Sequence, residues 1–361
     1  MKSLPSITRG VWLMLGLVAL AVVAVHFGWI APMHAGLGFA AFGLNTNAFP
    51  VNPELTAVAI GYRNPDIALI ADQVLPRVPT AKKFNWTKYS AAQGYTVPDT
   101  KVGRKSEPTM VDFSGSLMPD EVVDYGLDDL VPVDEVAAYE SMAKPASGGP
   151  IDPQALSTMM LSGLLELDRE VRVSNIVFNT ANYAAANQAT LAGTSQWSDY
   201  ANSNPLSAIM SALDSTLIRP NKLVIGQQAW TVLRQHPKIV QAIFKTVQGA
   251  GVVTKLMLAE TLEIDEIIVG SAWVNTARKG QAPSYSRTWG KHCSLIFSSI
   301  LAAQTMQPNY GFTAQWGTRI AGALPEPKSG LRGGVRVRTG ESVKEIISAS
   351  DAGYFFQNCV A

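Results

Sequence analysis

Arg332, Arg336 and Arg338, standing among Gly330, Gly333, Gly334 and Gly340, are the clearest polar feature of the chain. On a strand, alternate side chains share a face, so Arg336 and Arg338 would point the same way, toward phosphate or a neighbour's carboxylates. The plainer alternative is a solvated strand edge that charge protects from pairing. A second group holds Lys82, Lys83 and Lys88, interleaved with Phe84 and Trp86, and continues to Arg104 and Lys105. Together these residues are the candidates for contact with another subunit or with DNA.

Catalytic patterns are absent by spacing. The histidines are His26, His34, His236 and His292, with no His-x-x-x-His or Cys-x-x-Cys pair to hold a metal. His236 precedes Pro237 at a helix break and reads as a capping or packing residue. His292 adjoins Cys293, but neighbours on a strand face opposite ways, so the imidazole does not activate that thiol. Gly249-Ala250-Gly251 precedes Thr254-Lys255 without the Gly-Lys-Thr/Ser order of a phosphate-binding loop. Ser294 and Ser298 lie in no Gly-x-Ser-x-Gly elbow. Asp128-Asp129 and Asp134-Glu135 lie near turns, where solvation or capping is their default. The expectation is a protein without catalytic residues, cofactor or metal.

Positioning these side chains falls to a long helix over residues 152–178. Asp152 can cap it and Pro153 suits its first turn. Leu156, Met160, Leu164, Leu167, Val171 and Phe178 recur at steps of three, four or seven, predicting one apolar stripe that holds the helix in place. Asp168 and Arg172 are spaced to pair, for only about 0.3–0.5 kcal/mol if exposed. Before the helix, residues 45–79 carry many turn formers and read as an extended arm with a short helix. Residues 80–131 alternate apolar residues (Phe84 and Trp86, Val111 and Phe113, then Val123, Tyr125 and Leu127) and read as a long hairpin. Such a ribbon has no core of its own and must lie on its own domain or reach over a neighbouring subunit. Residues 147–150 form a joint.

After the helix, residues 179–204 read as loop anchored by Trp197. Asn204 and Pro205 start a helix with Leu206, Ile209, Met210, Leu213 and Leu217 on one face. Strands at 222–226 and 266–274 alternate with helices at 227–234, 238–246 and 254–262, an α/β domain around a central sheet. Further strands are expected at 291–298, 310–316, 335–337, 343–347 and 354–356.

The chain of 361 residues has room for two or more domains, and 47% hydrophobic content fills sizeable cores. Only 16% of residues are charged and the net charge is +1, which argues against a dedicated nucleic-acid binder and fits a surface largely covered by other subunits. An Ala-rich and Gly-rich composition alone gives the same figure. Two cysteines, Cys293 and Cys359, fit a reduced compartment. Residues 11–30 form an apolar run broken only by His26 and preceded by Lys2 and Arg9. In isolation that is a transmembrane or signal segment, with the N-terminus inside.

The ordered set Ile70-Ala71-Asp72-Gln73-Val74-Leu75-Pro76, Leu223-Val224-Ile225-Gly226, Trp230, Leu233, His236-Pro237, Leu258-Ala259-Glu260, Ile268-Val269-Gly270, Trp289-Gly290-Lys291 and Asp351-Ala352-Gly353-Tyr354 resembles the major capsid protein of tailed double-stranded DNA bacteriophages, whose fold encapsulins share. The resemblance runs from about Asn52 to the C-terminus. It implies an α+β fold with an apolar leader at 1–44, an N-terminal arm at 45–79, an extended β-hairpin E-loop at 80–131, a P-domain with the spine helix at 132–203, a compact α/β A-domain at 204–323, and a return to the P-domain at 324–361. It implies self-assembly into pentamers and hexamers that form an icosahedral shell, made in the host cytoplasm, around packaged DNA held by nonspecific contacts. Portal, decoration, scaffolding and maturation-protease proteins are the further partners it implies. The leader departs from the charged scaffolding segment of many relatives, which leaves open cleavage, an internal role or membrane contact through residues 11–30. Some relatives cross-link lysine to asparagine, but no motif assigns that chemistry to Lys82, Lys83 or Lys88. The alternatives are a membrane-anchored or exported binding protein, an α/β enzyme using a pocket between spine and A-domain, and an encapsulin-like compartment for cargo protein.

Overall fold

The computed structural model describes residues 49–62, 69–88, 97–111, 116–142, 151–245, 251–299 and 309–361, without the side chains of Thr87 and Ser116. The apolar run at 11–30, the joint at 147–150, and Gly249 and Ala250 lie outside them. Among the described residues no helix is long and apolar enough to cross a membrane.

Two short helices open the described chain, α1 (Pro53–Gly61) and α2 (Ala71–Val74). Asn52 caps α1, its Oδ1 accepting from Glu54 N at 2.9 Å, in the arm where turn chemistry predicts a helix. Strand β1 (Arg77–Pro79) runs parallel to β11 (Gly311–Glu326). Strands β2 (Lys83–Lys88) and β3 (Ser116–Glu121) form the expected hairpin, Phe84 opposite Asp120 and Trp86 opposite Met118. Strand β4 (Val123–Pro132) leaves it and pairs with β12 (Gly334–Ile347), so Val123, Tyr125 and Leu127 belong to the sheet β1-β11-β12-β4. The arginine-bearing strand β12 is therefore interior, which removes the strand-edge explanation of its charges. The expected strands at 335–337 and 343–347 are one continuous strand, because its glycines and arginines interrupt the apolar pattern without interrupting the ladder.

Helix α3 (Val133–Ser141) precedes the spine α4 (Pro153–Val177). Asp152 Oδ1 accepts from Gln154 N at 3.0 Å, and Pro153 sits in the first turn, as the sequence predicts. At about 1.5 Å per residue the spine spans roughly 38 Å. The expected face is wrong. Leu156, Met160 and Leu164 are 45%, 65% and 55% exposed, and Leu167, Val171 and Phe178 are only half-buried. The buried face carries Ser157, Leu161, Leu165, Arg169, Glu170, Val173 and Val177. The reason lies in what covers it. Leu161 meets Val131 and Val337, but the next groups along the helix meet polar and charged sheet residues. Ser157 Oγ donates to Asp129 at 2.7 Å, and Arg172 reaches Glu345 at 3.2 Å. Charge and apolar packing together hold the spine, contrary to the expectation that the stripe alone does so.

The second sheet, β5-β13-β10-β6-β7, comprises β5 (Gln188–Thr190), β6 (Lys222–Gly226), β7 (Glu266–Gly270), β10 (Cys293–Ile296) and β13 (Gly353–Gln357). Strands β6 and β7 are parallel, as their αβ alternation predicts. Helices α5 (Pro205–Ser215), α6 (Gln227–Leu233), α7 (Pro237–Phe244) and α8 (Lys255–Leu262) accompany this sheet. In α5 the buried residues are Pro205, Ile209, Ala212 and Leu213, while Met210 and Leu217 are exposed, so the expected face is rotated slightly. The main core gathers Trp197, Leu213, Leu223, Trp230, Leu233 and Leu258. Trp197 is fully buried, an anchor as expected. The hairpin β8 (Trp273–Asn275) and β9 (Tyr285–Arg287) projects after β7. The last strand, β13, lies in the second sheet, so the chain after residue 324 serves both sheets.

Candidate functional site

The joint between arm, spine and second sheet is built on Glu170. Its carboxylate accepts from Ile70 N at 3.0 Å, Ala71 N at 2.8 Å and Trp289 Nε1 at 2.5 Å. The backbone donors at the start of α2 lack helical acceptors, and Glu170 supplies one. Burial pushes the Glu170 carboxyl up, outweighing these donors and Arg169. Beside it, Arg169 donates to Asp72, which also accepts from Arg77 Nε at 2.7 Å. Burial would raise Asp72, but Arg169 and Arg77 hold it well below the usual carboxylate range. Arg77 continues to Glu341 at 2.9 Å, and Arg319 joins Glu341 at 3.3 Å to Glu166 at 3.1 Å. Glu341 too is lowered, burial being outweighed by Arg77 and Arg319. This buried network was missed because charged residues on a helix read as a solvated face. The signal available was Ile70-Ala71-Asp72 itself, whose two backbone donors and carboxylate all enter the network.

The same joint explains the glycine-ended motifs. Gly226 pairs with Gly270 across β6 and β7, and a Cβ on Gly270 would lie 2.2 Å from the Trp289 ring. His236 caps α7, its Nδ1 accepting from Lys238 N at 3.3 Å, as expected of a capping residue. His292 Nδ1 accepts from Asn358 N at 3.0 Å while Cys293 points into the core. A cleft of about 290 Å³ between spine and second sheet is lined by Ser174, Asn175, Asn179, Thr288, Trp289 and His292 among others. Its lining holds one imidazole and no carboxylate, lysine or thiol, a set with no acid–base pair for an enzyme's chemistry.

The hairpin candidates divide. Phe84 and Trp86 pack against Val122, Ala314 and Ile346 of the same chain. Lys82 lies 3.5 Å from Asp124 and over the Trp316 ring, and Lys83 lies 3.8 Å from Glu121. Asp120 ties the hairpin to β12 through Lys344 at 2.8 Å. Lys88, Arg104 and Lys105 are exposed and make no ion pair among the described residues. Residues 97–111 are all exposed except half-buried Pro98, with Val97 at 89% and Met110 at 96%.

The arginine candidates are brought together and neutralised. Arg338 forks onto Asp128 at 2.6 and 2.7 Å, and Arg336 lies 2.7 Å from Glu326 and 3.9 Å from Asp128. Arg336 and Arg338 share a face as their spacing predicts, and the carboxylates they meet are in their own chain. The fork holds Asp128 below its ordinary range. Arg332, in an exposed turn before β12, pairs with Asp134 in the first turn of α3 at 2.9 Å.

No protein-family model matches the sequence. The chain is 48% identical over 314 residues to the major capsid protein of Pseudomonas phage JBD67, covering 87% of this chain and 98% of that protein. It is 27% identical over 282 residues to the major capsid protein of Burkholderia phage BcepMu, covering 73% of this chain and 82% of that protein. A phage-related protein from Bordetella bronchiseptica RB50 shares the fold, with a TM-score of 0.64 at 24% identity over 86% of this chain and 98% of that one. Nothing among these relatives supports the membrane-anchored alternative. With a spine-and-hairpin α+β fold, outward apolar residues that its own core does not use, and 48% identity along nearly the whole of a phage head protein, the chain belongs to the family of bacteriophage major capsid proteins, the shell-forming subunits of the virion.

Proposed function

We propose that the subunit assembles as pentamers and hexamers in which the hairpin β2–β3 and the loop beyond it lie across an adjacent copy. The carrying observation is the loop at 97–111, where Val97, Val102, Met110 and Val111 are exposed and no residue is buried in its own chain. Apolar side chains left in water gain about 25 cal/mol per Å² when a partner covers them. Lys88, Arg104 and Lys105 then reach a neighbour's carboxylates. The shell encloses the phage's double-stranded DNA, assembles in the host cytoplasm, and meets a portal at one vertex. Decoration, scaffolding and maturation-protease proteins are further partners of the same reading. DNA contact does not rest on Arg332, Arg336 and Arg338, whose charge is met by Asp134, Glu326 and Asp128.

The test is expression of the full chain and of a variant with residues 97–111 replaced by a short Gly-Ser linker. Wild type should form closed shells of uniform diameter by negative-stain microscopy. The variant should keep its far-UV circular dichroism and thermal transition but remain as unassembled subunits. Normal shells from the variant would refute the role given to this loop.

A further inference from the structure

The second sheet is electrically polar along its strands. Strands β6 and β7 start together, Lys222 opposite Glu266, and end together, Gly226 opposite Gly270. Around their starting ends stand Asp214, Glu260, Glu263, Asp265 and Glu266, all exposed. The cations there are Arg219, 3.2 Å from Asp214 and 3.5 Å from Glu263, and Lys222, 3.9 Å from Glu266. Exposed Lys255, next to Leu256 at the start of α8, is a third, and three bases against five carboxylates leave this end acidic. Glu260 makes no ion pair among the described residues, and it shares the outward face of α8 with Leu256, 69% exposed.

The other end carries the hairpin β8–β9. Residues 271–288 contain Arg278, Lys279 and Arg287 and no Asp or Glu. Trp273 is 49% and Tyr285 66% exposed, and the Arg287 guanidinium stacks 3.9 Å from the centre of the Trp273 ring. Arg278 and Lys279 are exposed and make no ion pair among the described residues. Exposed aromatics and arginine are the side chains that interface cores favour.

We propose that the basic, aromatic hairpin β8–β9 of one subunit docks on the acidic end of the second sheet of the next copy, Trp273 and Tyr285 covering Leu256 while Arg278 and Lys279 face Glu260 and Glu263. The two patches lie at opposite ends of strands about 16 Å long and no ion pair joins them within the chain, so each requires a second molecule. A contact between unlike patches repeats head to tail and closes into a ring when its rotation closes. Every copy carries one of each, so the contact needs no other partner. The inference rests on the shell-subunit reading and names a contact that reading leaves open.

The experiment compares full-length wild type, Arg278→Glu/Lys279→Glu, Glu260→Lys/Glu263→Lys and the four-fold combination, each checked for fold by thermal unfolding. Each double reversal should lower the yield of assembled particles by about tenfold or more, and the combination should restore most of it, because only the facing charges have been exchanged. Wild-type ring formation should weaken as sodium chloride is raised. Wild type failing to assemble at all would sink the shell-subunit reading along with this contact. Wild-type shells alongside normal shells from both reversals, or no recovery in the combination, would overturn the contact alone. Normal shells that hold less nucleic acid in the hairpin variant would assign the hairpin to nucleic acid and overturn it equally. If the hairpin variant does not fold, the patch variant and the salt series decide.

Discussion

Gly270→Ala should unsettle the joint between spine and second sheet more than its size suggests. The added Cβ would lie 2.2 Å from Cγ and Cδ1 of Trp289, about 1.2 Å inside the 3.4 Å where ordinary contact begins. Trp289 is fully buried, packs edge-on to Phe178 at 5.2 Å, and donates to Glu170 at 2.5 Å, so it has no free direction in which to retreat. Overpacking of a closed core costs about 1–3 kcal/mol. Displacing the indole also loses a hydrogen bond to a charged acceptor, about 1.5–3 kcal/mol. Against this, alanine lowers the entropy of the unfolded chain, a gain of about 0.4–1 kcal/mol. The net expectation is a loss of about 2–5 kcal/mol. Gly226→Ala should cost more, since its Cβ would lie 2.1 Å from the Gly290 carbonyl oxygen, and backbone yields less than a side chain. Gly193→Ala is the comparison: φ is +57° with nothing within 4 Å, so only the left-handed backbone is penalised, by about 1–2 kcal/mol. Urea unfolding of unassembled subunits followed by far-UV circular dichroism measures all three, free of the stability that assembly adds. Gly270→Ala within 1 kcal/mol of wild type, on the order of the gain from chain entropy, would refute the reasoning that Trp289 is locked in place.

Glu170→Ala should lose about 3–5 kcal/mol in the same assay by leaving three buried donors unmet, whereas Glu170→Gln should lose clearly less, because its amide oxygen can still accept from Ile70 N and Trp289 Nε1 and only the Ala71 donor meets an amide nitrogen; equal losses would show that both carboxylate oxygens are required. His236 should make stability pH-dependent, since burial, aided by Lys238, takes it from 6.5 to about 4. Above the unfolded value both states are neutral, and as pH falls from 6.5 toward 4 the unfolded chain binds a proton that the cap refuses, so stability declines by roughly 2 kcal/mol once partial solvent screening is allowed for. His236→Asn, which can still cap α7, should flatten that part of the curve, and an unchanged slope would assign it to other groups. Asp128→Ala should free Arg336 and Arg338 from one shared carboxylate and raise retention of the subunit on heparin, with unchanged retention showing that Glu326 and the remaining neighbours suffice.

The spine's ends were legible because capping is local: Asp152 and Pro153 act on backbone groups one turn away. Its buried face was not, because α4 carries two apolar rows. Leu156, Met160 and Leu164 have the cleaner period, but the row through Leu161, Leu165, Val173 and Val177 is the one the sheet covers. Periodicity shows that a helix has a face, and the partner decides which face is used. The hairpin was legible from alternation, yet β4 beyond it was assigned to the same ribbon, since pairing with β12 more than two hundred residues later leaves no local mark. The arginines were legible as a shared face and silent about Asp128 for the same reason.

The buried and the exposed residues then answer one question from two sides. Glu166, Arg169, Glu170, Arg319 and Glu341 spend their charge inside the subunit, where arm, spine and sheet need polar partners. Leu156, Met160, Leu164, Val97 and Met110 keep apolar surface outside, where a lone soluble domain would place charge. A chain with 16% charged residues that uses several of them in its core has fewer left to solvate its surface. That distribution is costly for a monomer and suits a subunit whose surface is finished by its neighbours, so the sparse charge and the misread spine face have a common cause.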